Sequence, residues 1–271
     1  MTIRNPKIAR VWPDRILFRR WDPAGVRGVS LLYDAPGNSY KEHDGCQVLS
    51  CDLTNPQVAL YAGLARAAEQ MEPVLSELRP CWIAPTSYHS TYANSINQFN
   101  LHKIESLHHR IQYARFLGRL PNSMVGPLPD GFPPHRVQTD FPWRIRFRFD
   151  RLQLWPKDFA LVALLEPADE ESVSVLAMLS QRRTSVNEEL IGLGLPGDTG
   201  TIAHVTLCYF ASDEEAVLAM ERLGHCTNVL PAGLRDLTAE HVSVSLYGWT
   251  SMVDFWRISI SRMWGCGDST V

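Results

Sequence analysis

The chain is predicted to be a mixed helix-and-sheet protein, one domain made of two similar lobes. Three observations lead there. Strand-like and helix-like segments follow one another along most of the sequence. Two strand–helix–strand stretches, within 28–93 and 144–210, repeat the same order, with 42 positions from Gln47 to His89 and 45 from Phe159 to His204. Each stretch ends in a segment with a histidine two residues before a threonine. With 271 residues, 45% of them hydrophobic, the chain can bury one sizeable core. Residues 1–271 are therefore read as a single two-lobed domain, with 94–143 as an insertion between the matched units.

The elements are justified in order. Residues 1–25 show no clear periodicity. A strand is expected at Gly28–Tyr33, and Pro36-Gly37-Asn38 supplies the turn after it. An apolar strand follows at Gln47–Leu53. Asp52, Thr54 and Asn55 are good helix N-caps and Pro56 suits a first turn. The helix they open runs to about Leu78, with Leu60, Leu64, Ala67, Met71, Val74 and Leu75 on one stripe. Pro73 is expected to kink or split it near Glu72, and Pro80 to stop it. Strand-like chain from Cys81 leads into Tyr88–Ala93. Residues 94–118 read as helical, and 121–143, rich in proline and glycine, as a surface loop.

Arg144–Leu154 and Phe159–Leu165 read as strands joined at Trp155-Pro156-Lys157-Asp158. The run Asp169-Glu170-Glu171 suits the positive end of a helix that lasts to about Leu190. Gly192, Gly194, Gly197 and Gly200 mark a connecting loop, too unlike a phosphate loop in spacing and without its lysine. A strand at Ile202–Phe210, a short helix from Ser212 to about Leu223, and strands near Val242–Tyr247 and Val253–Ile260 complete the chain.

Composition narrows the function. The net charge is −3, so the strong basic excess of a protein built to grip a nucleic-acid backbone is absent. A nucleotide or a short RNA remains a suitable substrate, since a local patch can hold it. No apolar run approaches the ~20 residues that span a bilayer. Met1–Arg20 is basic and polar where a signal peptide needs an apolar stretch. The six cysteines are scattered, with no CxxC pair, and read as reduced. A soluble, cytoplasmic protein without a membrane partner is expected.

The chemistry sits in Thr86-Ser87-Tyr88-His89-Ser90-Thr91 and in Ile202-Ala203-His204-Val205-Thr206-Leu207. Residues two apart on a strand share a face, so each segment would present an imidazole beside a hydroxyl. If the two units pack about a pseudo-twofold axis, His89, Thr91, His204 and Thr206 converge on one cleft. One neutral imidazole could then take a proton from an attacking oxygen while the other, protonated, delivers one to the leaving oxygen. The threonine hydroxyls could donate to the non-bridging oxygens of a phosphodiester, where charge builds up. The scheme calls for no metal and no cofactor.

These segments resemble the paired motifs of the two-histidine (2H) phosphoesterase superfamily, which includes RNA 2′,3′-cyclic phosphodiesterases of the 2′-5′ RNA ligase-like type. The resemblance covers roughly residues 28–260 by element order. It implies an α+β fold of two pseudo-symmetric lobes, with antiparallel sheets lining a central cleft and helices outside. It implies a metal-independent phosphodiesterase acting on 2′,3′-cyclic phosphates, cyclic nucleotides or RNA ends, with His89 and His204 catalytic and Thr91 and Thr206 on the phosphate. The 115 positions from His89 to His204 exceed the spacing in compact members, and 94–143 takes up the excess.

Rival readings are carried alongside. A non-catalytic nucleotide- or RNA-binding module would keep the same cleft. His102, His108 and His109 invite a metal-dependent hydrolase, but a solvated helix face explains them more simply. His225-Cys226-Thr227 and His241-Val242-Ser243 share the tripeptide; the first reads as a helix cap or turn, the second as a structural strand. By parity Phe210 falls on the His204 face and is the candidate aromatic for substrate contact, whereas Tyr88, Tyr92 and Tyr209 face the other way. Arg144, Arg146 and Arg148 share one strand face, where they either hold a phosphate or meet water.

Overall fold

A computed structural model of the chain describes residues 27–78, 80–125, 127–130, 141–195, 202–226 and 229–258. The expectations for residues 1–25, for most of the proline-rich loop, for the end of the glycine loop and for the last residues of the final strand lie outside these. The described elements are β1 (Gly28–Tyr33), β2 (Tyr40–His43), β3 (Cys46–Leu49), α1 (Ala59–Leu75), β4 (Cys81–Trp82), β5 (Thr91–Asn97), α2 (Leu107–Gly118), β6 (Ile145–Trp155), β7 (Ala160–Pro167), α3 (Glu170–Gly192), β8 (His204–Tyr209), α4 (Asp213–Gly224), β9 (Thr238–His241), β10 (Val244–Trp249) and β11 (Phe255–Ile258).

The strands form two sheets in an α+β fold, and every described pairing is antiparallel. One sheet runs β2-β3-β11-β10-β1-β5, the other β4-β8-β7-β6-β9. Each sheet draws on both ends of the chain: β4 crosses into the sheet of β6–β8, and β10 and β11 return to the sheet of β1. The sheets meet in a buried aromatic group, where Tyr33 of β1 packs edge-on against Tyr92 of β5 and Phe147 of β6, with centroids 5.7 and 5.2 Å away.

Local chemistry sets most boundaries. Asn55 accepts from the Gln57 amide at 2.9 Å, and a 3₁₀ turn at Pro56–Val58 leads into α1. Asp169 caps α3 by accepting from the Ser172 amide at 2.8 Å, and Ser212 caps α4 by accepting from that of Glu215 at 3.2 Å. α1 does not break near Glu72: it continues through Pro73 to Leu75 and tightens to 3₁₀ at Ser76–Leu78, because Met71, Leu75 and Leu78 are buried on one face. α1 packs on β9 and α4, α3 on β6, β7 and β5, and no residue of α1–α4 lines the cleft described below.

Three expectations are corrected. The strand expected over Gln47–Leu53 is the hairpin β2–β3, which ends at Leu49; its Asp44-Gly45 turn has φ of 47° and 82°. The stretch 81–93 is not one strand: β4 stops at Trp82, a 3₁₀ turn spans Pro85–Ser87, and β5 begins at Thr91. The first part of 94–118 is the end of β5 and a tight turn, and the helix begins only at Leu107. β1 offers a partner to the chain from Thr91 to Asn97, and pairing outweighs the weak helical pattern there.

The six-stranded sheet also carries a buried polar group. The Asp34 carboxylate accepts from Ser243 Oγ (2.7 Å), Ser245 Oγ (2.6 Å), the Tyr247 hydroxyl (2.5 Å) and the Arg257 guanidinium (2.6 Å). Asp34 and Arg257 are both nearly inaccessible. This pair ties β11, the last described strand, to the end of β1, and it fixes Phe255 two residues earlier on the same face of β11.

Candidate active site

The cleft between the two sheets is lined by residues of both, among them His89, Thr91, His204 and Thr206. The structure thus brings together the four groups singled out in the sequence. They arrive by different routes. His204 and Thr206 alternate on β8, half-exposed, with Val205 and Leu207 buried beneath. Thr91 is the first residue of β5, opposite Leu32 of β1. His89 precedes the strand, on irregular chain pinned at three points: Cys51 N donates to Thr86 O, Cys51 Sγ to Tyr88 O, and Tyr33 N to Ser90 O at 3.0 Å.

The two imidazoles have matched surroundings. His89 Nδ1 lies 2.8 Å from the carbonyl of Ser87, and His204 Nδ1 lies 2.9 Å from that of Ile202. A carbonyl can only accept, so each Nδ1 carries the proton and each neutral ring has its lone pair on Nε2. Each ring also packs against one aromatic side chain. His89 and Phe255 have centroids 4.2 Å apart at 54°, and His204 and Trp155 have centroids 4.3 Å apart at 58°. Each histidine thus has a threonine of the same segment and one supporting aromatic ring, Thr91 and Phe255 from the six-stranded sheet and Thr206 and Trp155 from the five-stranded one.

Burial acts on the titration of His89. Removal of water from around His89 pushes its pKa down to about 4, against the pull of the Ser87 carbonyl, and the nearby His204 lowers it further. His89 is therefore neutral at pH 7. The hydrogen bond of His204 to Ile202 is open to solvent, whereas that of His89 is partly buried.

Phe210 is placed elsewhere than parity indicated. Its side chain is fully buried and does not line the cleft, whereas Tyr209 does. The reason is a bulge in β8. Val162 pairs with Thr206 but the adjacent Leu161 pairs with Cys208, so Leu207 is an extra residue and the facing inverts after it. Tyr88, also expected to face away, borders the cleft although it is nearly inaccessible, whereas Tyr92 is buried and its hydroxyl donates to Leu179 O at 2.5 Å.

The other candidates lie outside the cleft. His241 is buried, with Nδ1 donating to Asp34 O at 2.8 Å and Nε2 at 3.2 Å from the Tyr61 hydroxyl. His225 is the C-cap of α4; its companion Thr227 lies outside the described residues. His108 and His109 neighbour each other on α2, and among the described residues no three His, Cys, Asp or Glu side chains are grouped to hold a metal ion. Arg146 pairs with Asp169 and Arg148 with Glu166, and none of these side chains lines the cleft. Sequence reasoning missed Trp155 and Phe255, which come from strands far from the motifs in the chain; the lining also includes Asn94, Asn97, Phe99, Asp158 and Trp249.

No family model matches the chain, and no curated protein matches it. Among solved structures it is similar to TT0787 of Thermus thermophilus, with 16% identity over 82% of this chain and 87% of that one and a TM-score of 0.39. LigT of E. coli, complexed with 3′-AMP, gives 12% identity over 82% and 88%, with a TM-score of 0.39. A conserved protein of unknown function from Agrobacterium tumefaciens, ATU0111, gives 12% identity over 90% and 91%, with a TM-score of 0.38.

Proposed function

We propose that the chain is a two-histidine phosphodiesterase, acting without a metal on 2′,3′-cyclic phosphates, cyclic nucleotides or RNA ends. The observation that carries this reading is the matched pair of imidazoles, each oriented by the carbonyl two residues upstream and each beside a threonine of the same cleft. In the proposed step, neutral His89 accepts a proton from water at Nε2 as the water oxygen bonds to phosphorus. The leaving oxygen departs from phosphorus with the bonding pair and takes a proton from His204, which enters the step protonated. Thr91 and Thr206 hydroxyls donate to the non-bridging oxygens as charge grows there. Each proton transfer contributes on the order of 10²–10⁴-fold.

Among the described residues Cys46, Cys51, Cys81, Cys208 and Cys226 are thiols that form no disulfide. That supports a reducing compartment, and with it a cytoplasmic enzyme. Among the described residues no helix is long and apolar enough to cross a membrane.

The test is a panel of cyclic phosphates assayed in chelator with the wild type, His89→Ala and His204→Ala. Turnover by the wild type and loss in both variants is expected. Equal activity in all three, or complete loss of wild-type activity on chelation, overturns the reading. Tight binding with no turnover by the wild type would leave a capture module in its place.

A further inference from the structure

We propose that the outer face of α2 is a docking surface for a second copy of this chain, and that the surface it meets there is the outer face of α4. This goes beyond the two-histidine reading and does not depend on it.

α2 buries Tyr113, Phe116 and Leu117 on its inner side. Its outer side is not simply polar. Leu107 is 60% and Ile111 43% exposed, and with exposed Ala114 they form an apolar strip two turns long. His108, Arg115 and Arg119, all exposed, form a row along one side of that strip. From Leu107 to Arg119 there are three arginines and no acidic residue. Among the described residues the guanidiniums of Arg115 and Arg119 have no ion-pair partner. Single exposed leucines are ordinary, but a strip flanked by unanswered cations marks an interaction surface.

α4 carries the complement. It buries Ala216, Ala219 and Leu223 and leaves Val217 46% and Leu218 44% exposed, with Glu214 and Glu221 exposed beside them. Asp213–Gly224 holds four acidic residues and one arginine, Arg222, which is already paired with Glu77 at 2.9 Å. The two faces also match in hand. At about 100° per residue, Arg115 and Arg119 lie roughly 60–100° round α2 from its apolar strip. Glu214 and Glu221 lie roughly 40–60° round α4 from Val217 in the same sense. An antiparallel crossing therefore sets the basic row against the acidic row while the apolar side chains meet between the helices. A phosphate backbone would answer the arginines but leave Leu107 and Ile111 in water, whereas α4 answers both. Each helix has 12 residues, about 18 Å of contact at most, so the association is weak and concentration-dependent. It is also head-to-tail, since a pairing of α2 with α4 leaves the α4 of one copy and the α2 of the other available.

The experiment is sedimentation velocity of the full chain across a range of concentrations in low and high salt. It is run on the wild type, on Arg115→Glu/Arg119→Glu, on Glu214→Lys/Glu221→Lys and on an equimolar mixture of the two variants. Wild-type association should grow with concentration and fall in high salt. Each double variant alone should associate at least about ten-fold more weakly, because like charges then face each other. The mixture should regain association, since the acidic α2 of one variant meets the basic α4 of the other, and that recovery also shows both variants to be folded. A wild type that stays monomeric throughout, variants that associate as the wild type does, or a mixture of natively folded variants that stays monomeric overturns the proposal. If circular dichroism shows a charge-reversed variant to be misfolded, Arg115→Gln/Arg119→Gln decides: weakened association upholds the docking surface and unchanged association rejects it. Labelled oligouridylate is titrated in parallel, and a monomer that binds it through Arg115 and Arg119 assigns the face to nucleic acid instead.

Discussion

His89 and Phe255 stand with ring centroids 4.2 Å apart although 166 positions separate them in the chain. One belongs to irregular chain before β5, the other to β11, and the sheet folds them together. Phe255 is one of the apolar groups that exclude water from the imidazole, and so it helps keep His89 deprotonated at neutral pH.

Replacing Phe255 with Ala should therefore raise the pKa of His89 toward that of a solvated imidazole, by about one unit. The acidic limb of the pH–rate profile should move up with it. Histidine NMR titration checks the shift, and Phe255→Leu should move it less.

Stability should depend on pH through the same ring. The folded-state pKa of about 4 lies below the unfolded value of 6.5, so the neutral form is the one favoured by folding. Stability from this group is fully present above pH 6.5 and is lost as pH falls from there through about 4. Urea denaturation at pH 7.5 and 4.5 should show the wild type losing about 2 kcal/mol more than His89→Gln, a figure discounted for the half-buried ring.

The Asp34–Arg257 pair should be costly to break on one side. Arg257→Met leaves the Asp34 carboxylate buried beside three hydroxyl donors but without its cation, and is expected to destabilise by about 3–5 kcal/mol, measured by urea denaturation. It should also loosen Phe255, two residues away, so the His89 titration should drift upward with the loss of stability.

Gly45→Ala should destabilise by about 1 kcal/mol, because φ of 82° suits glycine and strains a residue with a Cβ. Thermal unfolding measures it. Activity should be unchanged, since no residue of the β2–β3 turn lines the cleft.

Much of the fold is legible in the sequence where local signals are strong. β1 has the expected bounds, and α3 and α4 begin at the acidic runs that mark them. The hairpin β2–β3 has its own local signal in Asp44-Gly45, a two-residue turn pair that outweighs the apolar run after it. β9 is four residues long and its pairing with β6 is set by tertiary contact. The four motif residues are legible because a histidine and a hydroxyl two apart form a local pattern. Trp155 and Phe255 are not, since nothing near His204 or His89 in the chain names them. Tyr209 is hidden by the single extra residue in β8, which no alternation pattern reveals.

The crossing of β4 into one sheet and of β10 and β11 into the other has a consequence for how the molecule works. Neither half of the chain can be excised as a self-sufficient piece, because each would leave its sheet short of strands and expose unpaired edges. Among the described elements the backbone passes from one sheet to the other between β3 and β4, β4 and β5, β5 and β6, and β9 and β10, so the two walls of the cleft are tied together by the chain itself. On the proposed reading, selectivity is then expected to rest on the side chains lining that cleft, which both sheets contribute.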